Sequence, residues 1–144
     1  VRAYALIAWC KLYTGPIEEA ILLVEQAIRL SPRDPVIGIW YMLIGQAHLL
    51  ESRSDEAVIW LEKACSAIPA QPGVRALLAC AYALKGQTEP AAVELAEARR
   101  LSLDGGYSSV AHLKATGYYG VPKIRALYEA TYFQGLRLAG MPEE

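Results

Sequence analysis

The chain reads as an all-α solenoid, a row of stacked helix hairpins closed by a helical cap. Three observations predict it. Residues 38–69 run from an apolar segment through a polar break, Glu51-Ser52-Arg53-Ser54, into an amphipathic segment that stops at Pro69. That is the pattern of two antiparallel helices joined by a turn. The unit then recurs: Ala20, Ala27 and Pro32 lie 37 residues before Ala57, Ala64 and Pro69, and Ala91 and Ala98 lie 34 residues after Ala57 and Ala64. Finally, 54% of the 144 residues are hydrophobic, a share that suits helices covered on more than one side, as in a stacked array.

Each element follows from local signals. The first helix covers residues 2–13, with Tyr4, Ile7, Ala8 and Lys11 on its packing side, and Thr14-Gly15-Pro16 turns the chain. Residues 17–30 form the second, placing Ala20, Ile21, Val24, Ala27 and Ile28 inward and Glu18, Glu19, Glu25 and Arg29 outward. A loop, Ser31-Pro32-Arg33-Asp34-Pro35, leads to a third helix over 39–50. Glycine inside a helix costs ~1 kcal/mol against alanine, so Gly45 implies that a neighbouring helix comes close. The fourth helix spans 55–67, and Pro72 opens a fifth that runs to Leu84. Thr88 is the expected N-cap of a sixth over 89–101.

Beyond Leu103 the repeat pattern stops. Asp104-Gly105-Gly106 breaks the array, and Ser108 or Ser109 can cap a short helix over 110–116. After Gly117-Tyr118-Tyr119-Gly120, Pro122 opens a final helix ending near Ala139, with Ile124, Leu127, Tyr128, Thr131 and Leu138 along one side. Such a helix either covers the last hairpin or docks on a second copy of the chain as a homodimer.

A helix-pair period of 34 residues is the tetratricopeptide signature. The first unit offers Tyr4, Ile7-Ala8, Ala20, Val24, Ala27 and Pro32 at the family's positions, and the second Tyr41, Ile44-Gly45, His48, Ala57, Leu61, Ala64 and Pro69. The third offers Leu78-Ala79, Tyr82, Ala91, Leu95 and Ala98, with Leu103 in place of the proline. Residues 1–103 therefore resemble three tetratricopeptide repeats, at about 1–34, 38–71 and 72–103, with residues 104–144 as the helical cap. Glycines Gly15 and Gly86 correspond at the turns, where the middle unit has Ser52.

Catalytic chemistry finds no foothold. His48 and His112 stand apart with no ligand partners at metal spacing, and His48 occupies a place that the family gives to tyrosine. No phosphate-binding glycine loop with its lysine is present. The acids of Glu18-Glu19, Asp55-Glu56 and Glu94/Glu97 fall on outward faces. No enzyme activity, cofactor or metal is expected of this segment.

A net charge of −1, from 14 basic and 15 acidic residues, argues against nucleic acid as partner. The apolar run from Val36 to Gly45 is too short to span a membrane. Cys10, Cys65 and Cys80 are odd in number and lack CxxC spacing, which points to a reducing cytoplasm. The chain opens on a valine in mid-pattern, the mark expected of a piece of a longer protein.

The resemblance implies a protein-binding role, with the first helix of each pair lining a concave groove. By the family's geometry that groove takes Arg2, Ala5, Trp9, Leu12 and Tyr13 from the first repeat, then Ile39, Met42, Gln46, Leu49 and Leu50 from the second. The third contributes Ala76, Cys80, Ala83 and Leu84. Ala5, Trp9 and Gln46 stand where carboxylate-clamping members carry basic and amide residues, so that activity does not carry over. Trp9, Tyr13 and Met42 suit an amphipathic helix instead, unless the chain's own last helix or further repeats fill the strip.

The segment from Leu127 to Glu144, which includes the tail Gly135-Leu136-Arg137-Leu138-Ala139-Gly140-Met141-Pro142-Glu143, resembles the closing segment of bacterial class III adenylate/guanylate cyclases. That resemblance implies the C-terminal regulatory or dimer-forming region of a signalling enzyme. Repeat regions of winged-helix transcription regulators, and free-standing adaptors, are the alternative.

Overall fold

The computed structural model describes residues 2–144, with Arg2 described by its backbone alone. Six helices pair as hairpins: α1 (Arg2–Thr14) with α2 (Ile17–Leu30), α3 (Ile37–Leu50) with α4 (Ser54–Ala67), and α5 (Pro72–Leu84) with α6 (Thr88–Leu101). There follow α7 (Val110–Thr116), α8 (Pro122–Tyr128), a π-helical turn (Glu129–Phe133) and α9 (Gln134–Leu138). The described residues form no strand.

The hairpins correspond in detail. Ala20, Ala57 and Ala91 are all buried, as are Ala27, Ala64 and Ala98, so each second helix presents the same small contacts to its partner. At the turns Gly15, Ser52 and Gly86 share a left-handed backbone, with φ of 78°, 61° and 80°. An L side chain in that region costs roughly 1–2 kcal/mol, and Ser52 bears that cost to keep the turn its neighbours make with glycine. Gly45 is explained by contact: a Cβ there would lie 2.6 Å from Leu61 Cγ on α4.

Three helix starts differ from the sequence reading, the fourth by a single residue, at Ser54. The third helix begins at Ile37 rather than Ile39. Thr88 lies inside α6 and does not cap it. The capping position is Gln87, whose carbonyl accepts the first bond from Ala91 N at 3.2 Å and whose side chain makes no cap bond. At α7 the cap is Ser109, whose hydroxyl oxygen accepts from His112 N at 3.1 Å.

The C-terminal rod departs most from expectation. Instead of one regular helix, α8 and α9 are joined through the wider turn at Glu129–Phe133, inside which the Thr131 hydroxyl donates to the Leu127 carbonyl at 2.6 Å. The turn lets three consecutive residues, Thr131, Tyr132 and Phe133, all be buried. The buried side then continues through Gly135 and Leu136, and Leu138, expected on that side, is 49% exposed.

The tail has a definite physical role. Gly140, at φ 107°, turns the chain back, and the carbonyls of Pro142 and Glu143 accept from Val110 N and Ala111 N at the start of α7. They satisfy two of the donors that a helix N-terminus leaves without partners. Arg137 ties the turn, reaching Glu143 at 2.8 Å and Glu129 at 2.9 Å, while Lys114 pairs with Glu129 at 2.7 Å.

Candidate partner-binding groove

Helices α1, α3 and α5 form the inner wall of the array, and the rod α8–α9 lies across it, packing on α5 and, through the π turn, on α3. Two contacts fix its depth. Gln46 Nε2 donates to the Tyr128 hydroxyl at 2.5 Å, and the Cys80 thiol donates to the Tyr132 carbonyl at 3.2 Å. Gly135 then lets α9 touch the α5 backbone: a Cβ there would lie 2.9 Å from Cys80 Cα and 3.0 Å from its carbonyl oxygen. The groove's α3–α5 end is thus filled from within the chain.

The predicted groove residues divide accordingly. Leu12, Leu49 and Leu50 are closed to solvent, and so is Cys80, which faces the rod and meets it through its thiol. Met42 and Gln46 are buried under the rod, Ile39 and Leu84 are half-buried, and the Arg2 side chain lies outside the described residues. Trp9 and Tyr13 are half-buried at the α1 end. Together with Met42, Gln46, Leu77, Tyr119, Tyr128 and Tyr132 they line a cavity of about 180 Å³. It adjoins an opening of about 440 Å³ between Trp9, Cys10, Tyr13, Thr14 and Tyr118.

Four of the twelve residues around the cavity and its opening lie outside the repeats, where groove geometry assigns nothing. Tyr118, Tyr119, Tyr128 and Tyr132 belong to the C-terminal segment, where five of the chain's nine tyrosines (with Tyr107) fall after residue 104. That concentration was the available signal. Tyr13 stacks with Tyr128 at 6.3 Å between ring centroids and meets Tyr118 at 5.4 Å, while Tyr119 sits edge-on to Tyr128 at 5.1 Å. The amide of Val121 donates to the Tyr13 carbonyl at 3.0 Å, so the end of α1 is bound to the start of the rod.

Electrostatically the mouth is neutral. Burial pushes the Tyr119 phenol up to about 12 and the Tyr128 and Tyr132 phenols well above their ordinary range, so all three remain protonated near neutrality. The lining offers aromatic faces, a thioether and one amide, a set suited to apolar side chains.

Elsewhere the side chains have structural work. His48 is half-buried, with Nδ1 accepting from Arg53 Nε at 2.9 Å, while the Arg53 guanidinium also pairs with Glu18 at 2.6 Å. His112 is exposed, and no cluster of His, Cys, Asp and Glu among the described residues could hold a metal ion. Cys10, Cys65 and Cys80 are free thiols, Cys10 exposed and Cys80 fully buried. Among the described residues no helix is long and apolar enough to cross a membrane.

The family model for the tetratricopeptide repeat matches residues 1–34 and 41–71. Comparison with curated proteins gives no match.

Proposed function

We propose that this chain of tetratricopeptide repeats is a protein-interaction module that takes an apolar side chain of a partner helix at the mouth between Trp9 and Tyr13. The observation that carries the proposal is the incomplete filling of the groove. The rod seals the α3–α5 end yet leaves an aromatic cavity of about 180 Å³ open beside α1. Tetratricopeptide repeats generally bind protein and are generally non-catalytic. An amphipathic helix with an aromatic or branched anchor matches the chemistry of the lining. In this reading residues 1–34, 38–71 and 72–103 are the binding repeats and 104–144 the cap that narrows their groove.

The tail supports a wider context. Its resemblance to the closing segment of bacterial class III nucleotide cyclases leads us to assign the module to the C-terminal regulatory region of such an enzyme, in the cytoplasm. A cyclase homology domain encoded upstream of Val1 supports that assignment, and a winged helix in that place overturns it.

The test of the mouth uses the three tryptophan indoles, Trp9, Trp40 and Trp60, as separate NMR probes. Titrating helix-forming amphipathic peptides with one aromatic anchor should move the Trp9 resonance and leave that of Trp60, on α4, in place. Trp9→Ala should keep the far-UV dichroism and abolish binding. No movement at Trp9 with any such peptide, or melting of the domain by Trp9→Ala, refutes the proposal.

A further inference from the structure

Where α8 runs into the π turn, the rod sets Tyr128 and Tyr132 side by side, their rings edge-on at 6.0 Å between centroids. Gln46 gives Tyr128 a polar partner, but the Tyr132 hydroxyl bonds to no described residue, although its side chain is only 7% exposed. The Gln46 carbonyl oxygen is in the same position. The amide spends Nε2 on Tyr128, and no described donor meets Oε1, with the residue 9% exposed. Among the described residues the side-chain polar atom that is both sealed and unpartnered is Arg53 Nη2. The Tyr132 and Gln46 oxygens are therefore open, and they open on the cavity that both residues line. A largely buried hydroxyl without a partner destabilises, and the fold makes no use of this one. A ligand entering the cavity can.

The space selects the size of that ligand. A cavity of roughly 150 Å³ takes one benzene, so one of about 180 Å³ admits a single six-membered ring with a small substituent. Its walls suit a ring, since Trp9, Tyr13, Met42 and Leu77 present aromatic faces, a thioether and a branched chain. The two open groups select the substituent. Burial keeps the Tyr132 phenol protonated, so it offers a donor, while the Gln46 carbonyl offers an acceptor. A hydroxyl answers both, donating to one and accepting from the other. Phenylalanine or leucine leaves both unmet. Tryptophan brings two fused rings and an N–H that only donates, so it overfills the space and leaves Tyr132 unanswered.

We propose that this cavity is a phenol pocket, in which the partner anchors a tyrosine whose hydroxyl donates to the Gln46 carbonyl and accepts from Tyr132. The inference rests on the partner-helix reading above and names its anchor. The walls come from α1, α3, α5 and the C-terminal segment, and the opening between Trp9, Tyr13 and Tyr118 is the way in.

Two helix-forming amphipathic peptides that differ only in their anchor, tyrosine or phenylalanine, test this through the Trp9 indole resonance. In a pocket with nothing polar to meet it, the phenol oxygen weakens binding, because it loses its hydration without return. Here the tyrosine peptide should bind about tenfold more tightly, the worth of a hydrogen bond made to groups otherwise left buried and unmet. Tyr132→Phe removes an oxygen that the fold does not use. It should keep the melting temperature and the affinity for the phenylalanine peptide while shrinking the preference for tyrosine. Equal binding of the two peptides, tighter binding of the phenylalanine peptide, or a preference undiminished in Tyr132→Phe overturns the proposal and leaves the partner-helix reading standing. If neither peptide moves the Trp9 resonance, both fall.

Discussion

Two seams hold this molecule together, and they are built differently. Inside the middle hairpin, α3 meets α4 through small residues against one large side chain, Gly45 against Leu61, with Ala57 and Ala64 beside them. Between the array and the C-terminal rod, Gly135 rests on the α5 backbone at Cys80 while tyrosines and one buried amide complete the contact. The first seam yields where a side chain can shift. The second meets main chain, which cannot move without displacing a helix. Similar glycines therefore carry unequal loads.

The largest effect should come from testing that inequality. Gly135→Ala sets a methyl group 2.9 Å from Cys80 Cα, so the rod must lift, and we expect a loss of about 1–3 kcal/mol of overpacking in chemical denaturation. Gly45→Ala meets the Leu61 side chain rather than main chain, so with the same ~1 kcal/mol of helix propensity gained at either helical site its net change should be the smaller. Equal losses from the two variants would erase the distinction between the seams.

That distinction also marks what the sequence disclosed. The alanines at 20, 57 and 91 and the turn positions 15, 52 and 86 were legible because three copies of one solution can be compared with each other. Hairpin packing is local and repeated, so its residues betray themselves by period. The rod's seat is unique, with no second copy against which to read it. Helical spacing put Leu138 inward, and only the π turn, which spacing cannot register, rotates Leu136 and Gly135 to the array instead. The site suffered likewise. Trp9, Tyr13 and Gln46 followed from the repeat, but the tyrosines that roof them arrive from residues 118–132 by tertiary packing.

A smaller effect probes the polar part of the second seam. Gln46→Leu leaves the buried Tyr128 hydroxyl without its donor at a cost of about 1–3 kcal/mol, whereas Gln46→Leu with Tyr128→Phe removes both polar groups and should be nearly neutral. The double-mutant cycle isolates the coupling. If the double variant is as unstable as Gln46→Leu alone, the seat is held by shape, and the amide is incidental to it.

The smallest effect lies at the α3–α4 turn, in the first kind of seam. Burial first, and then the Arg53 guanidinium, lower the His48 pKa from the usual 6.5. Nδ1 already accepts from Arg53, so a proton placed there would turn an accepted hydrogen bond into an opposition of two donors. The sign follows from linkage. Above the unfolded value both states are neutral and stability is flat. As pH falls through 6.5 the unfolded chain takes up the proton first, and stability declines until the lower folded value is passed, where the decline levels off. His48→Tyr restores the residue that the repeat pattern places here and removes the titrating group. Melting temperatures measured across mildly acidic pH should then lose that step while Gly135→Ala keeps it, because the rod's seat holds no imidazole.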